Sequence, residues 1–539
     1  MIALLLPGAW YRRVSRPYGI LLMTAICLSQ ESGQGAAQEA ALTAGGVHFA
    51  VRCLESGGKA FQNRDYVWER IPPQFEGWHF TQTKGGLTGA VVLKVERQGI
   101  VHVATSDGAL LEANGWQRDG DLALTYSDEA HSALPVYRKP FPAGDRVSIP
   151  QTGWAGTIVF APAMSGKSPD DHFDVPGVVI RHSPSLSRRY IGCPSIAVLP
   201  SGDYVASHSY FGKGSADNRT AVYRSADGGN TWEALTELVG QWWSSLFVHD
   251  GRLYILGTSG RPDFNIVIRR SADGGRTWTV PLDRTTGLLA DDARYHTAPV
   301  PVVVHKGRLW RGMEMMRDGF RALVLSAPVD ADLLRADRWT LSDSLASSEW
   351  LRATEPGFQT AKWLEGNVVI TPDNGLINVL RINHLGGDRA AMLHVSEDGR
   401  TVSFDPDKGL IVLPGAANKF TIRRDPQTRR YWTLASIMTV SPDILPPYRQ
   451  RNVLALLSSP DVRTWTIESE VLSYSRGCRM RERVDNKIGF QYVDWQFDGE
   501  DIIAVSRTAW GDEVPRSHDA NFLTFHRLRG FRRGAQRAP

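Results

Sequence analysis

The sequence predicts an all-β chain: a six-bladed β-propeller with an N-terminal β-sandwich domain. One turn tract recurs along the second half of the chain, short β-type runs between Gly, Asn and Asp turns fill the first half, and helical periodicity is nearly absent. Unequal spacing between copies of one turn type is typical of propeller blades that carry loop insertions. The recurring turn therefore favours a propeller over other β folds.

The recurring turn is a Ser-x-Asp-x-Gly-x-Thr-Trp tract. It occurs twice almost letter for letter, at 225–232 and 271–278, and twice in altered form, at 396–404 with Phe404 in place of Trp and at 459–465, one residue shorter. In such a turn the Asp and hydroxyl side chains bond the backbone of the turn, Gly supplies positive φ, and Trp packs as an aromatic plug. Each copy is expected to mark one sheet of a radial array.

The chain divides into three predicted parts. Residues 1–37 indicate a secretory signal peptide, because arginines precede a short apolar run and a small polar stretch; lipidation of Cys27 is the alternative, opposed by Ile26, where a small residue is needed. Short β-type runs without the recurring turn predict a β-sandwich accessory domain at 41–165. Residues 178–531 have room for six blades of roughly 60 residues, each with four strands. The protein is therefore expected to be secreted or periplasmic.

Charge and cysteine content exclude several classes of protein. Lys and Arg total 61 against 57 Asp and Glu, and the two signs are mixed along the chain, so we expect no nucleic-acid partner. No stretch approaches the roughly 20 apolar residues of a membrane span. The 4 cysteines are too few for a disulfide framework or a Cys-rich zinc site. No His and Asp spacing matches a known ligand set, so we expect no metal and no other cofactor.

Four residues of the second half follow one another in an informative order. Glu365 precedes a hydrophobic strand, an Asp-Asn-Gly turn and Arg381; Arg451 precedes the strand that enters the fourth turn tract, and Tyr492 lies on the strand after it. This order, together with the turn tracts, resembles the sialidase superfamily over about residues 190 to 530. The resemblance implies a six-bladed propeller in which Tyr492 is the nucleophile, Glu365 its base, and Arg381 and Arg451 bind a substrate carboxylate.

The implied roles are chemically coherent for a sugar that carries a carboxylate at its anomeric carbon. An Asp or Glu nucleophile would be repelled by that carboxylate, whereas a tyrosine paired with a glutamate base is not. Two arginines can hold the carboxylate bidentately. The structural alternative for Glu365 and Arg381 is an ordinary ion pair, which any β-rich protein can contain.

The match to sialidases breaks at the first strand of the predicted propeller. Sialidases carry an Arg-Ile-Pro tract there, whereas this chain has Gly192 at the position of the Arg. Loss of one charge-assisted contact weakens carboxylate binding by about 10- to 150-fold, which puts sialic acid itself in question. Gly192 is expected to line the pocket that the missing side chain leaves. Arg188 and Arg189 are the candidates to fold back in its place.

The general acid/base has two candidates. Asp217 is the only carboxylate on the loop that carries this residue in sialidases, about three residues out of register. His208 ends a strand that points toward the same mouth, either as acid/base or as a hydrogen-bonded rim residue. His296 and the tract at 518–526 are further polar groups within reach of a cleft, with loop or blade-closing roles as the alternative. We include His296 among the substrate-binding residues.

The leading functional hypothesis is a secreted exo-acting glycoside hydrolase that releases a terminal acidic sugar, sialic acid or another carboxylated sugar, with retention of configuration. Its partner is then a glycan or polysaccharide substrate. Two alternatives remain open: a uronate polysaccharide lyase that uses Tyr and His for proton transfer, and a non-catalytic glycan-binding propeller. Elimination leaves a conjugated double bond that absorbs ultraviolet light, so one assay separates the lyase from the hydrolase.

Overall fold

A computed structural model of the chain describes residues 38–86, 90–128, 133–166, 172, 174–317, 320–347, 362–382, 387–474, 486–511 and 514–532. The predicted signal peptide at 1–37 lies outside these residues and stays a prediction. The described residues from Glu39 onward form one compact unit. Among the described residues, no helix has the length and apolar character needed to cross a membrane.

Two sheets pack face to face in the first part of the unit. Their strands are β1 Ala41–Val47, β2 Phe49–Cys53, β3 Trp68–Arg70, β4 His79–Thr83, β5 Ala90–Arg97, β6 Gly99–Ala104, β7 Gln117–Tyr126, β8 Ala133–Phe141, β9 Arg146–Ile149, β10 Ile158–Ala161 and β11 Ala163–Gly166, with a short helix α1 Ala109–Ala113 before β7. The sheet orders are β11-β1-β5-β9 and β2-β4-β10-β6-β8-β7-β3. Leu42 and Leu93 of the first sheet share a buried cluster with Val103 and Val159 of the second. This arrangement is a β-sandwich.

Six further sheets follow, here called blades 1 to 6. The strand β12 Val178–His182 comes first, and its partner is in blade 6. Blade 1 contains β13 Tyr190–Val198, β14 Tyr204–Phe211, β15 Arg219–Ser225 and β16 Glu233–Val239; blade 2 contains β17 Trp242–His249, β18 Arg252–Thr258, β19 Ile266–Ser271 and β20 Leu288–Ala290. Blade 3 contains β21 Tyr295–His296, β22 Val303–His305, β23 Arg308–Met315, β24 Arg321–Pro328, β25 Thr340–Leu341 and β26 Leu345–Ala346.

The remaining blades repeat the same antiparallel order. Blade 4 contains β27 Trp363–Ile370, β28 Leu376–Ile382, β29 Arg389–Val395, β30 Val402–Phe404 and β31 Leu410–Val412; blade 5 contains β32 Thr421–Arg424, β33 Tyr431–Ser436, β34 Val453–Ser459 and β35 Thr466–Ser473. Blade 6 contains β36 Gly489–Asp498, β37 Asp501–Ala509 and β38 Phe522–Leu528. Short 3-10 turns lie at Pro73–Phe75, Ser185–Ser187, Ala336–Arg338 and Pro447–Arg449.

The blades form a closed ring. The strand β12 pairs antiparallel with β38, so the start and the end of this region complete one sheet in the order β12-β38-β37-β36. Side-chain to backbone hydrogen bonds join every neighbouring pair of blades. From blade 1 onward these are Leu246 N to Ser195 Oγ at 2.9 Å, Val300 N to Ser245 Oγ at 3.0 Å, Gly366 N to Glu314 Oε1 at 2.9 Å, Ile422 N to Asn367 Oδ1 at 3.0 Å, Thr421 Oγ1 to Val493 O at 2.9 Å and Ile196 N to Asp494 Oδ2 at 3.1 Å. The predicted all-β, six-bladed propeller with an N-terminal β-sandwich is confirmed.

The four turn tracts, called aspartate turns below, all join the third and fourth strands of a blade. They belong to blades 1, 2, 4 and 5. Trp232, Trp278 and Trp465 each donate their indole N–H to a carbonyl three residues earlier, at 3.1, 2.9 and 2.8 Å. The three tryptophans therefore occupy equivalent positions in different blades, as the recurring turn predicts. The division into domains at 41–165 and 178–531 agrees with the strand groups but stays a prediction, since both groups belong to one compact unit.

Candidate active site

Bulges in the innermost strands position the candidate site. In blades 1, 2, 4 and 6 two residues of the first strand face one residue of the second, and the first bulged residue is Gly192, Trp243, Glu365 or Tyr492. Backbone φ is 49° at Trp243, 58° at Glu365 and 54° at Tyr492, a left-handed conformation uncommon for non-glycine residues. Bulges re-aim side chains next to active sites. Trp243, Glu365 and Tyr492 therefore occupy equivalent positions in their blades and are candidate functional residues.

Glu365, Arg381 and Tyr492 lie together in the structure. Arg381 Nη1 lies 3.1 Å from Glu365 Oε2, and both residues are buried, at 6% and 3% exposure. Tyr492 lies near both residues, close enough for its hydroxyl to contribute to the pKa shifts of Glu365 and Arg381. Burial opposes ionisation of Glu365, but the charges of Arg381 and His296 and the Tyr492 hydrogen bond lower its pKa below the ordinary value. Glu365 is thus an ionised carboxylate near a tyrosine hydroxyl.

Burial and the charge of Glu365 raise the pKa of Tyr492 to about 12, while Arg381 and Arg507 act in the opposite direction. Tyr492 is therefore protonated at neutral pH. A proton acceptor is required if its oxygen is to act as a nucleophile, and Glu365 is that acceptor by position.

Two more buried arginines face the same tyrosine. Arg451, 5% exposed, donates to Tyr448 O at 2.8 Å and to the Gln491 side chain, and burial lowers its pKa to about 9. Arg507, 4% exposed, donates to His518 O, and its guanidinium lies 4.8 Å from the centre of the Tyr492 ring. Neither arginine forms a salt bridge with any residue that the structure describes. Among the described residues, the cluster consequently has three guanidinium groups and one carboxylate, Glu365.

A cavity of about 240 Å³ opens beside Arg451. Arg449, Arg516 and His518 are among its lining residues. Asp519 neutralises part of this charge, since it pairs with Arg516 at 3.0 Å; its other oxygen lies 2.8 Å from His518 Nδ1. The cavity is nevertheless cationic, and it suits an anionic group of a ligand.

His296 lies on the other side of Glu365. Its Nδ1 is 2.8 Å from Oε2 of Glu314, a fully buried carboxylate, and its ring packs edge-on against Trp243 and Phe320 at centroid distances of 4.5 and 5.0 Å. A buried carboxylate fixes the orientation of an imidazole, and aromatic faces are what sugar rings pack against. The predicted substrate-binding role of His296 stays a prediction, now with a defined position.

The surroundings of Gly192 differ from the expected pocket. A Cβ added at this glycine would lie 2.5 Å from Ser209 Oγ and 2.8 Å from Ser209 O, so the side-chain direction is filled by strand β14. The expectation that Gly192 lines a vacant pocket is therefore wrong, because the bulge turns this position toward its own sheet. Arg189 does not fold back as a substitute either. It pairs with Glu237 at 3.1 Å and packs over the Tyr210 ring at 3.7 Å.

The two acid/base candidates lie outside the tyrosine cluster. His208 is fully buried in blade 1, with Nδ1 3.0 Å from Ser209 O and Nε2 3.2 Å from Tyr223 Oη. Both ring nitrogens have hydrogen-bond partners and the side chain is buried, so a substrate cannot reach this histidine. The prediction that His208 points toward the mouth of the cleft was wrong. Asp217 is more accessible and pairs with Arg261 at 3.1 Å. Its assignment stays a prediction.

Among the described residues, no group of three or more His, Cys, Asp or Glu side chains is arranged to hold a metal ion. The arrangement around Tyr492 consists of a tyrosine hydroxyl, a carboxylate and cationic groups. It is therefore suited to covalent acid–base chemistry on an anionic substrate.

Comparison with known proteins yields structural likenesses at low identity. No protein-family model matches the chain, and no curated protein does. A Hadza microbial sialidase is 12% identical over 89% of this chain and 99% of its own, with a TM-score of 0.48. A leech intramolecular trans-sialidase, solved with 2,7-anhydro-Neu5Ac, is 12% identical over 91% and 92%, with a TM-score of 0.45. A Penicillium chrysogenum α-L-arabinanase, solved with arabinobiose, is 15% identical over 66% and 97%, with a TM-score of 0.41. Sialidases, the family that the sequence motifs resemble, are thus among the solved structures similar to this chain.

Sequence reasoning missed Arg507, Trp243 and Glu314. Arg507 lies on the second strand of blade 6, where no motif distinguishes it from other arginines, and Glu314 occupies the corresponding strand of blade 3. Trp243 follows another tryptophan in a run that predicts core packing. Trp243 occupies the same bulge position in its blade as Glu365 and Tyr492 do in theirs. The bulges, which the sequence alone does not reveal, are therefore the signal that identifies it.

Proposed function

We propose that this protein is a secreted or periplasmic glycoside hydrolase that releases a terminal acidic sugar from a glycan. The observation that carries the proposal is the position of Tyr492 beside the Glu365 carboxylate, which pairs with Arg381 at 3.1 Å. Tyrosine in contact with a carboxylate base is a nucleophile suited to an anomeric carbon that carries a negative charge beside it.

The charge balance of the cluster supports an acidic sugar. Arg381 is neutralised by Glu365, but Arg451 is buried without a carboxylate among the described residues. A buried cation without a counter-ion costs free energy, which a bound carboxylate would offset through bidentate hydrogen bonds. A neutral sugar would leave that charge uncompensated. The same argument favours sialic acid or another carboxylated sugar as the released unit.

The proposed reaction has two steps. In the first step Glu365 accepts the proton of Tyr492, the tyrosine oxygen forms a bond to the anomeric carbon, and the bond to the leaving oxygen breaks as an acid protonates it. In the second step the deprotonated acid accepts a proton from water as the water oxygen attacks the anomeric carbon, and the Tyr492 oxygen leaves and recovers its proton from Glu365. Two displacements at one carbon retain its configuration. Asp217 is the proposed acid, since His208 is enclosed.

The test is release of sugar from three glycan panels, terminated by sialic acid, by a uronic acid and by a neutral sugar. We expect wild type to act on an acidic panel, and Tyr492→Phe to lose at least about 10³-fold in kcat/KM, because the nucleophile is absent. Tyr474→Phe is the matched control, since this tyrosine packs against Trp510 outside the cluster. Asp217→Asn should lose activity on natural glycans while retaining it on a substrate with a phenolic leaving group.

The outcomes separate the candidate functions. Release of neutral sugars alone, or full activity of Tyr492→Phe, would contradict the proposal. Products that absorb ultraviolet light at the wavelength of a conjugated uronate would assign the site to a polysaccharide lyase. Glycan binding without any cleavage would indicate a carbohydrate-binding propeller.

A further inference from the structure

Arg507 is positioned by two aromatic rings. It lies on β37 opposite Gln491, the residue before the Tyr492 bulge. Its guanidinium is 4.5 Å from the centre of the Phe211 ring and 4.8 Å from that of Tyr492. Stacking against two rings fixes a planar guanidinium in one orientation and leaves its edge available for hydrogen bonding.

The hydrogen-bonding capacity of Arg507 is not satisfied by the residues that the structure describes. One terminal nitrogen donates to His518 O, while Nε is buried without a partner. Asp519 is the carboxylate that follows His518, but its oxygens already bond Arg516 and His518. An arginine that is 4% exposed and has no ion pair with any described residue carries a desolvation cost that a bound anion would offset.

The position of Arg507 adjoins the place where sialidases have an arginine and this chain has Gly192. Its charge acts on the thiol of Cys193, the second residue of the same bulge. Phe211, which lies under Arg507, follows Ser209 by two residues on β14, and Ser209 fills the side-chain direction of Gly192. Strand β13 therefore has no room to deliver an arginine, whereas β37 delivers one next to it.

We propose that Arg507 is the third arginine of the carboxylate-binding site, and that it acts in place of the side chain missing at Gly192. The carboxylate of the substrate then contacts Arg381, Arg451 and Arg507, all of which face Tyr492. The expected weakening of carboxylate binding at Gly192 is thereby offset by a guanidinium from the last blade. This inference rests on the proposed function for the nature of the ligand, an acidic sugar.

Binding measurements test the role of Arg507 separately from catalysis. Free N-acetylneuraminic acid, free glucuronic acid and the methyl ester of each are titrated calorimetrically into the full chain. We expect wild type to bind at least one acid more tightly than its ester. Arg507→Gln should weaken binding of that acid by about 10- to 150-fold and leave binding of the ester nearly unchanged. Arg507→Lys should fall between the two, because an ammonium keeps the charge without the bidentate geometry.

Arg269→Gln is the matched control. Arg269 is 6% exposed and hydrogen-bonds Gln241 at 3.1 Å in blade 2, so its replacement also removes a buried guanidinium. This variant should keep the preference for the acid. Gly192→Arg combined with Arg507→Gln should not restore it, because a side chain at 192 collides with Ser209.

Several results would overturn the inference. An unchanged preference for the acid in folded Arg507→Gln or Arg507→Lys would do so, as would rescue by Gly192→Arg or equal binding of acid and ester by wild type. Binding of an acid that depends on Arg507, without any hydrolysis, would leave this inference standing and refute the proposed hydrolase function. Hydrolysis that persists with unchanged acid preference in both Arg507 variants would refute this inference and leave the proposed hydrolase function standing.

Discussion

Glu365 and Tyr492 hold backbone conformations that cost free energy. A left-handed φ at a non-glycine residue costs about 1–3 kcal/mol, and φ is 58° and 54° at these two positions. The rest of the blade sustains the cost through the strand pairing on either side of each bulge, which resumes at Asn367 and at Asp494. Left-handed φ also occurs at other described residues, Asp250 and Arg429 among them, but at Glu365 and Tyr492 it accompanies a bulge that re-aims the side chain.

His208 makes stability depend on pH. Burial lowers its pKa from 6.5 to about 3, so the unfolded chain takes up a proton between these values and the folded chain does not. The free energy of unfolding should therefore fall as pH drops below 6.5, by about 1.4 kcal/mol per pH unit from this residue. His208→Phe removes the contribution. The loss of unfolding free energy between pH 7 and pH 5, measured by urea denaturation, should shrink by about 2 kcal/mol.

Exposed His394 supplies the control for His208. His394→Phe, at an exposed histidine of blade 4, is the matched substitution, and the smaller loss of stability is expected for His208→Phe alone. An identical loss of stability in wild type and His208→Phe would show that His208 is accessible to protons. Burial also lowers the pKa of His526 to about 4. His526 is present in wild type and in both variants, so its contribution to the pH dependence of stability cancels in the comparison.

Site residues that belong to a sequence motif were predictable. Site residues that are brought together only by the fold were not. Glu365, Arg381, Arg451 and Tyr492 come together because their order along the chain follows the order of blades around the ring. Arg507 belongs to no motif, and only the pairing of β37 with β36 places it beside Tyr492. The sequence also did not show which way a side chain points at a bulge, because one extra residue reverses the alternation of side chains between the two faces of the sheet.

The aspartate turns show how an element tolerates sequence loss. In the turn of blade 2, Asp273 accepts hydrogen bonds from the Ser271 and Thr277 hydroxyls at 2.8 and 2.6 Å and from the Arg276 and Thr277 amides at 3.0 and 2.9 Å. In the altered turn of blade 4, Asp398 accepts from Ser396 Oγ at 2.6 Å and from Arg400 N at 3.0 Å. The altered turn keeps its strand connection with fewer bonds.

This difference predicts unequal effects of the same substitution. Asp273→Ala should lower Tm by roughly 2–4 °C, and Asp398→Ala by less, because fewer hydrogen bonds are lost. Activity should be unchanged in both variants, since the turns join third and fourth strands and make no contact with Tyr492. Thermal unfolding followed by circular dichroism checks the first point, and sugar release checks the second. Equal shifts in Tm would contradict the assigned hydrogen bonds.

At the scale of the whole molecule, closure of the ring depends on both ends of the propeller region. The strand β12 is held by β38, so blade 6 is complete only when distant parts of the chain meet. Beyond β38 a salt bridge connects the chain to blade 5: Arg532 Nε and Nη2 lie 2.8 and 2.9 Å from the two oxygens of Asp425. Both side chains are buried, and the bidentate pair joins the end of the described chain to a neighbouring blade.

Arg532→Gln should therefore lower the free energy of unfolding by about 3 kcal/mol at pH 7, because it leaves the Asp425 carboxylate buried without its partner. Despite burial, hydrogen bonds from Arg532 and Thr428 lower the pKa of Asp425 to about 2 from 3.8. A carboxylate with a lowered pKa stabilises the folded chain fully above pH 3.8 and loses that contribution as pH falls to about 2. Urea denaturation should thus give the same difference between wild type and Arg532→Gln at pH 7 and pH 5.

Arg400→Gln, at an exposed Arg–Asp pair 3.9 Å apart, is the control and should show no measurable change. A difference as small for Arg532→Gln as for Arg400→Gln would mean that the ring closes without this tie, through the pairing of β12 and β38 alone.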